Sequence, residues 1–128
     1  MNEILIKETT TIYKALEALQ SSGEKCLIVV GKNNIFLGTL TDGDIRRAIL
    51  KKKSTKESIK QIYSKKSFYL IDNKFNKQNT YNFLRQKNIP LIPIIDKKRK
   101  IIDYISNKTN KNKLFNKKID IEVIIMAG

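Results

Sequence analysis

The sequence contains no histidine and no tryptophan, with one cysteine, two prolines and five glycines in 128 residues. Without histidine there is no His-based triad, no imidazole general base and no histidine metal site. A single thiol, Cys26, can form neither an internal disulfide framework nor a thiolate zinc site. Independent catalysis by this chain is therefore not expected, and no catalytic residue or metal ligand is assigned. Long apolar runs are missing too. The longest lies near residues 123–127, far below the roughly 20 residues that span a bilayer. The N-terminus, MNEILIKETT, lacks the basic-then-apolar order of a signal peptide. With the lone cysteine, these features point to a cytoplasmic setting and no membrane partner.

Acidic residues are scarce: 12 Asp and Glu stand against 26 Lys and Arg, for a net charge of +14. Lysine outnumbers arginine 22 to 4, and Ile and Asn are also abundant, which reads as the codon bias of an AT-rich genome. The lysines are scattered and few aromatics sit among them. That pattern favours a solvated exterior over a nucleic-acid surface, so a nucleic-acid partner is not expected.

What is present reads as short alternating elements. The length allows one ordinary domain or two very small ones sharing a core. Glu3 to Lys7 is a strand candidate. Thr9 to Thr11 offer cap hydroxyls, Ile12, Ala15, Leu16 and Leu19 follow at helical spacing, and Gly23 ends the helix. Cys26 to Val30 and Ile35 to Leu40 read as strands around a Lys32–Asn34 turn, and Asp42 to Lys53 as a helix. Ser54-x-x-Glu57 has the outline of a capping box opening a short helix through Ile59 and Ile62. Ser67 to Ile71 is a strand, Phe75 to Gln86 a helix with Phe83 and Leu84 on its apolar stripe, and Ile89 to Ile95 a strand. Pro90 and Pro93 should sit at edge or ladder-free positions. Lys100 to Ser106 is the next strand.

A shift of 65 residues superposes the two halves. Leu16 falls on Tyr81, Leu19 on Leu84, Val29-Val30 on Ile94-Ile95, and Phe36-Leu37 on Ile101-Ile102. Internal repetition of this kind means two similar units, each marginal alone, burying one core between them.

One segment stands out: Gly38-Thr39-Leu40-Thr41-Asp42-Gly43-Asp44, followed by Ile45-Arg46-Arg47-Ala48-Ile49-Leu50. It is a strand running into a helix, with hydroxyl, acids and glycine at the junction. A βαββα repeat with Gly-x-x-Thr-x-x-Asp at that junction resembles a pair of CBS domains (cystathionine β-synthase domains), or Bateman module, over roughly residues 3–107. The resemblance implies an α/β (α+β) fold of tandem βαββα repeats with pseudo-twofold symmetry: residues 1–60 as the first repeat and 61–107 as the second. It is most similar to the pairs fused ahead of sugar-phosphate nucleotidyltransferases. Ile121 to Gly128, IEVIIMAG, is similar to the strand that opens such a domain. Residues 119–128 are thus read as that truncated first strand, and the Lys- and Asn-rich 108–118 as a linker.

The junction residues admit two readings. Thr41-x-x-Asp44 is a capping box in outline, with Asp44 at the positive end of a helix and Gly43 easing the turn. A helix N-terminus is also a ready anion site. The resemblance implies that the Thr41 hydroxyl approaches a ligand phosphate, that Asp44 accepts from ribose hydroxyls, and that Arg47 or Arg46 meets phosphate charge. The base would lie near Ile6 and the Lys25–Ile28 stretch, including Cys26 and Ile28. No cofactor is required on this reading; the ligand is an optional regulatory adenine nucleotide (AMP, ADP or ATP). In the second repeat the segment is Asp103-Tyr104-Ile105-Ser106-Asn107-Lys108-Thr109. The glycine has become Asp103 and the ribose-reading acid Thr109, so a second ribose site is not expected. Cys26 itself reads as a core thiol, and Lys97–Lys100 as a solvated basic turn. The implied role is regulatory: sensing a nucleotide, forming a homodimer, or both, to control a nucleotidyltransferase domain of the same polypeptide. The rival reading is a purely structural dimerisation module with no ligand.

Overall fold

The structure, a computed structural model, describes residues 2–107 and 124–126. The strands form two sheets. The first has the order β1(Leu5–Lys7), β2(Cys26–Val30), β3(Phe36–Thr41), with β1 parallel and β3 antiparallel to β2. The second has the order β6(Ile101–Ser106), β5(Leu91–Ile95), β4(Phe68–Ile71), β7(Ile124–Met126). Here β4 runs parallel to β5, while β6 and β7 are antiparallel to their neighbours. The helices are α1(Ile12–Ser22), α2(Asp42–Leu50) and α3(Lys77–Lys87).

The 65-residue repeat holds element by element. Helix α1 maps onto α3, β2 onto β5 and β3 onto β6 without a gap. Thr11 caps α1 by accepting from the Lys14 N–H, and Asn76 caps α3 by accepting from the Asn79 N–H. Gly23 and Asn88 end these helices in the left-handed conformation, at φ 74° and 57°. Even the register irregularity recurs, between Val29 and Val30 in one sheet and Ile94 and Ile95 in the other. Val29 pairs with Gly38 as Ile94 pairs with Asp103, so the two occupy equivalent positions. The closing helix that a βαββα pattern asks of the second repeat, and the 108–118 linker, lie outside the described residues.

The core is shared. All of β2 and β5 is buried, as expected of central strands with both faces covered. Leu91, Ile95 and Ile101 of the second repeat belong to the cluster built around Leu27, Ile28 and Phe36 of the first. A smaller cluster around Leu70, Phe75 and Leu84 fills the second repeat. Ile62 and Tyr63, which the sequence reading put in the second unit, pack against the first cluster.

Three local expectations are corrected. Asn2–Ile4 is a 3-10 turn, so β1 begins at Leu5. Helix α2 stops at Leu50, not Lys53, because Lys52 is in the left-handed region at φ 65°. Ser54 and Glu57 do interact, the Glu57 carboxylate accepting from the Ser54 N–H at 3.0 Å, but no helix follows directly. The carbonyls of Thr55 and Glu57 instead accept from the N–H groups of Tyr13 and Ile12 at 2.9 and 2.8 Å. That turn-containing strap satisfies donors that the first turn of α1 leaves open, and leaves only a 3-10 turn at Ile59–Gln61. Pro93 takes the ladder-free of the two expected places: it sits on β5, the strand between β6 and β4, and not on an edge. It faces Tyr104 of β6, and pairing with β4 starts one residue later, at Ile94.

Candidate functional site

The junction between β3 and α2 forms a full capping box. The Asp44 N–H donates to Thr41 Oγ1 at 3.1 Å, and the Thr41 N–H donates to Asp44 Oδ2 at 2.9 Å. Arg47 closes the other carboxylate oxygen, its Nη2 lying 2.6 Å from Asp44 Oδ1. Arg46 pairs with Asp42 one turn away. The Asp44 side chain is only 12% exposed, whereas that of Arg47 is 66% exposed. The carboxylate is thus a fixed acceptor with lone pairs to spare, while the guanidinium is free to swing into solvent.

Beside this box lies a cavity of about 220 Å³ between the repeats, walled by Cys26, Thr39, Thr41, Asp44, Ser64 and Ser67 on one side and Asn88 to Leu91 on the other. Four hydroxyls and one carboxylate line it, and among the described residues Asp44 is its only charged one. The cationic groups lie next door. Arg47, Lys51 and Lys53 line a second cleft of about 160 Å³ that shares Asp44. Thr41, Asp44 and Cys26 are therefore brought to one place, with Arg47 bridging to the neighbouring cleft. Ile6 and Ile28 stand apart. Both are buried in the first core cluster, Ile28 completely, and neither lines the cavity. Burial pushes the Cys26 thiol up to about 12, so it is an inert wall group and not a nucleophile.

The sequence reading missed the hydroxyl wall. Thr39 Oγ1 and Ser67 Oγ are 2.7 Å apart, Ser67 Oγ donates to the Ser64 carbonyl at 3.0 Å, and Thr39 and Ser64 form an isolated antiparallel bridge. The strap reaches β3 only because residue 38 is glycine. A Cβ there would meet the Ser64 carbonyl oxygen at 2.1 Å. A glycine inside a strand signals such an approach, and Gly38 was the available clue. Gly43, by contrast, has no positive φ, and a Cβ there would meet only ordinary contacts, Arg47 Nη1 at 3.5 Å and Thr41 Oγ1 at 3.7 Å. It does not ease the turn, contrary to expectation.

The second junction differs. Ser106 matches Thr41, since Leu91 pairs with Ser106 as Cys26 pairs with Thr41. Its hydroxyl donates to Glu24 Oε1 at 2.9 Å, across 82 residues of chain. Asp103, at the Gly38 position, is raised above the ordinary carboxylate range by partial burial. Thr109 lies outside the described residues.

Comparison with known proteins gives the class. Residues 1–51 match the CBS domain family. The CBS domain pair of protein MJ0100, solved with 5'-methylthioadenosine and S-adenosyl-L-methionine, superposes with a TM-score of 0.70 at 19% identity, covering 88% of this chain and 86% of that one. CBSX2, solved in complex with AMP, gives 0.69 at 18% identity over 84% and 83%. The fold is that of a CBS domain pair. An uncharacterized protein of Helicobacter pylori is 31% identical over 100 residues, 77% of this chain and 30% of its own length. The chain spans less than a third of the curated relatives it matches. No described helix is long and apolar enough to cross a membrane, and no described cluster of His, Cys, Asp and Glu could hold a metal ion.

Proposed function

We propose that this chain is a regulatory CBS pair that binds an adenine nucleotide at the Thr41–Asp44 junction and passes its state to an attached sugar-phosphate nucleotidyltransferase. The cavity beside the capping box carries the reading. It lies between the repeats, so a ligand there touches both. The Asp44 carboxylate faces it as a fixed acceptor for ribose hydroxyls, and the Thr41 hydroxyl keeps a proton to donate to phosphate at the positive end of α2. The charge next door, on Arg47, Lys51 and Lys53, suits phosphates that leave the uncharged part of the cavity. The two similar pairs named above were solved with adenosine ligands. Control follows by linkage: a ligand that favours one arrangement of the repeats shifts its population.

The attached domain rests on the Ile121–Gly128 sequence and on the length of the relatives, more than two thirds of which lies outside the aligned segment. Tyr13, Ile49 and Leu50 are exposed on α1 and α2, which supports self-association into a homodimer.

A second reading has its own support. Each Asp44 oxygen already has a partner within the chain, as a purely structural dimerisation module would have it. Calorimetric titration with AMP, ATP and S-adenosyl-L-methionine separates the two. Saturable binding that Asp44→Ala weakens about 5- to 150-fold supports nucleotide sensing. No heat with any of the three, alongside a dimer in light scattering, supports the structural module.

A further inference from the structure

The two junctions also differ in the residue that reaches each of them from the other repeat. Glu24 follows the left-handed Gly23 that ends α1, and its counterpart 65 residues on is Ile89, which follows the left-handed Asn88 that ends α3. Each reaches across to the junction of the other repeat. Ile89 lines the cavity beside Thr41, where an apolar chain leaves the hydroxyl to the cavity. Glu24 meets Ser106, and its carboxylate takes that hydroxyl at 2.9 Å. The contact is closed to solvent: Glu24 is 9% exposed and Ser106 fully buried.

We infer that the Glu24 carboxylate fills, at the second junction, the place that a ligand anion takes at the first, and so keeps anions away from Ser106. The inference rests on the nucleotide reading for what happens at Thr41, but its chemistry is local. A phosphate brought to Ser106 would face a carboxylate at contact distance in a partly dry site, where like charges repel strongly. It would also have to displace the acceptor already holding the Ser106 proton. The substitution of an acid for an apolar residue therefore acts as a selector built into the repeat.

The test uses inorganic phosphate and reads the second junction directly. Amide resonances of Ser106 and Asn107 are followed by NMR during a phosphate titration of wild type, Glu24→Gln and Glu24→Ala. The wild-type resonances should stay still. Removing the charge should produce saturable shifts at both amides, with phosphate affinity there raised at least about tenfold. Glu24→Gln keeps the size and hydrogen-bonding capacity of the side chain, so it decides the matter if the alanine variant does not fold. Shifts at Ser106 in wild type, or a natively folded Glu24→Gln whose Ser106 ignores phosphate, would overturn the inference. Failure of AMP to bind wild type defeats the nucleotide reading instead and leaves this measurement intact.

Discussion

Ile35 and Lys100 form an antiparallel bridge, and they are the same position of the two repeats. A contact between equivalent residues can lie only on the pseudo-twofold axis. Next to it the Phe36 N–H donates to the Arg99 carbonyl at 2.8 Å. The Arg99 guanidinium lies 5.6 Å from the Phe36 ring centre and 5.3 Å from that of Tyr69. Phe36 and Tyr69 themselves meet edge to face at 5.8 Å. The basic turn is thus partly a clamp across the repeats.

Arg99→Ala should cost about 1–2 kcal/mol, the sum of two partly exposed cation–π contacts. Arg99→Lys keeps the charge but loses the flat stacking surface, and should recover less than half of that. Urea unfolding of the three proteins measures both. An Arg99→Ala midpoint equal to wild type would reduce the turn to the solvated loop that its sequence suggested.

Two glycines five residues apart near the junction should behave oppositely. Gly38→Ala drives a methyl into the Ser64 carbonyl and must push the strap off β3, at a cost of about 1–3 kcal/mol or more. Gly43→Ala meets nothing closer than the Arg47 guanidinium at 3.5 Å. It should be neutral or stabilising by up to about 1 kcal/mol, since alanine is the better helix residue. Thermal melts of the pair give the contrast, and equal losses would contradict it.

Asp44→Ala should destabilise the fold by about 1–3 kcal/mol, because it leaves the Thr41 N–H without its acceptor in a largely buried place. That is more than the ~0.3–1 kcal/mol an exposed first-turn acid contributes. Asp44→Asn retains an acceptor oxygen and should lie between. Removing Arg47, whose pair with Asp44 is mostly in solvent, should cost less than about 1 kcal/mol. Chemical denaturation ranks the three, and Arg47→Ala as damaging as Asp44→Ala would reverse the assignment.

Stability should fall in alkali. Burial lifts Cys26 to about 12 from an ordinary 9.0. Burial, then the hydrogen bond to the Glu8 carboxylate, lifts Tyr63 to about 12 from 10.0. In both cases the folded protein holds its proton more tightly than the unfolded chain. The resulting stability is complete below the unfolded values and is lost as pH rises from about 9 towards 12. Cys26→Ala and Tyr63→Phe should each flatten that slope. A denaturation series from pH 8 to 11 in which neither variant differs from wild type in slope would refute it.

The repeat was the most legible part of the sequence. Caps at Thr11 and Gly23 and the apolar run of β2 are local signals, and a 65-residue shift carries them onto α3 and β5. The junction box at Thr41 and Asp44 was readable for the same reason. What escaped is non-local. Nothing near Ser54 announces that its strap will cap α1, and its capping-box outline alone predicts a helix start. Glu24 looks like a surface acid after a helix, and only the fold brings it to Ser106. Ile6 and Ile28 were placed near the ligand by likeness alone, and packing puts them in the core.

The bridge between Ile35 and Lys100 also sets a lever arm. It lies at the start of β3, and the Thr41 junction lies at the far end of the same strand, six residues or about 20 Å away. The matching arm on β6 ends at Ser106. With the strands pinned on the axis, rocking one repeat against the other by about 5° opens or shuts the junction end by roughly 2 Å at that radius. The Thr41 and Ser106 junctions, set at the tips of these arms and not at the pivot, are therefore where a given rotation moves the chain furthest.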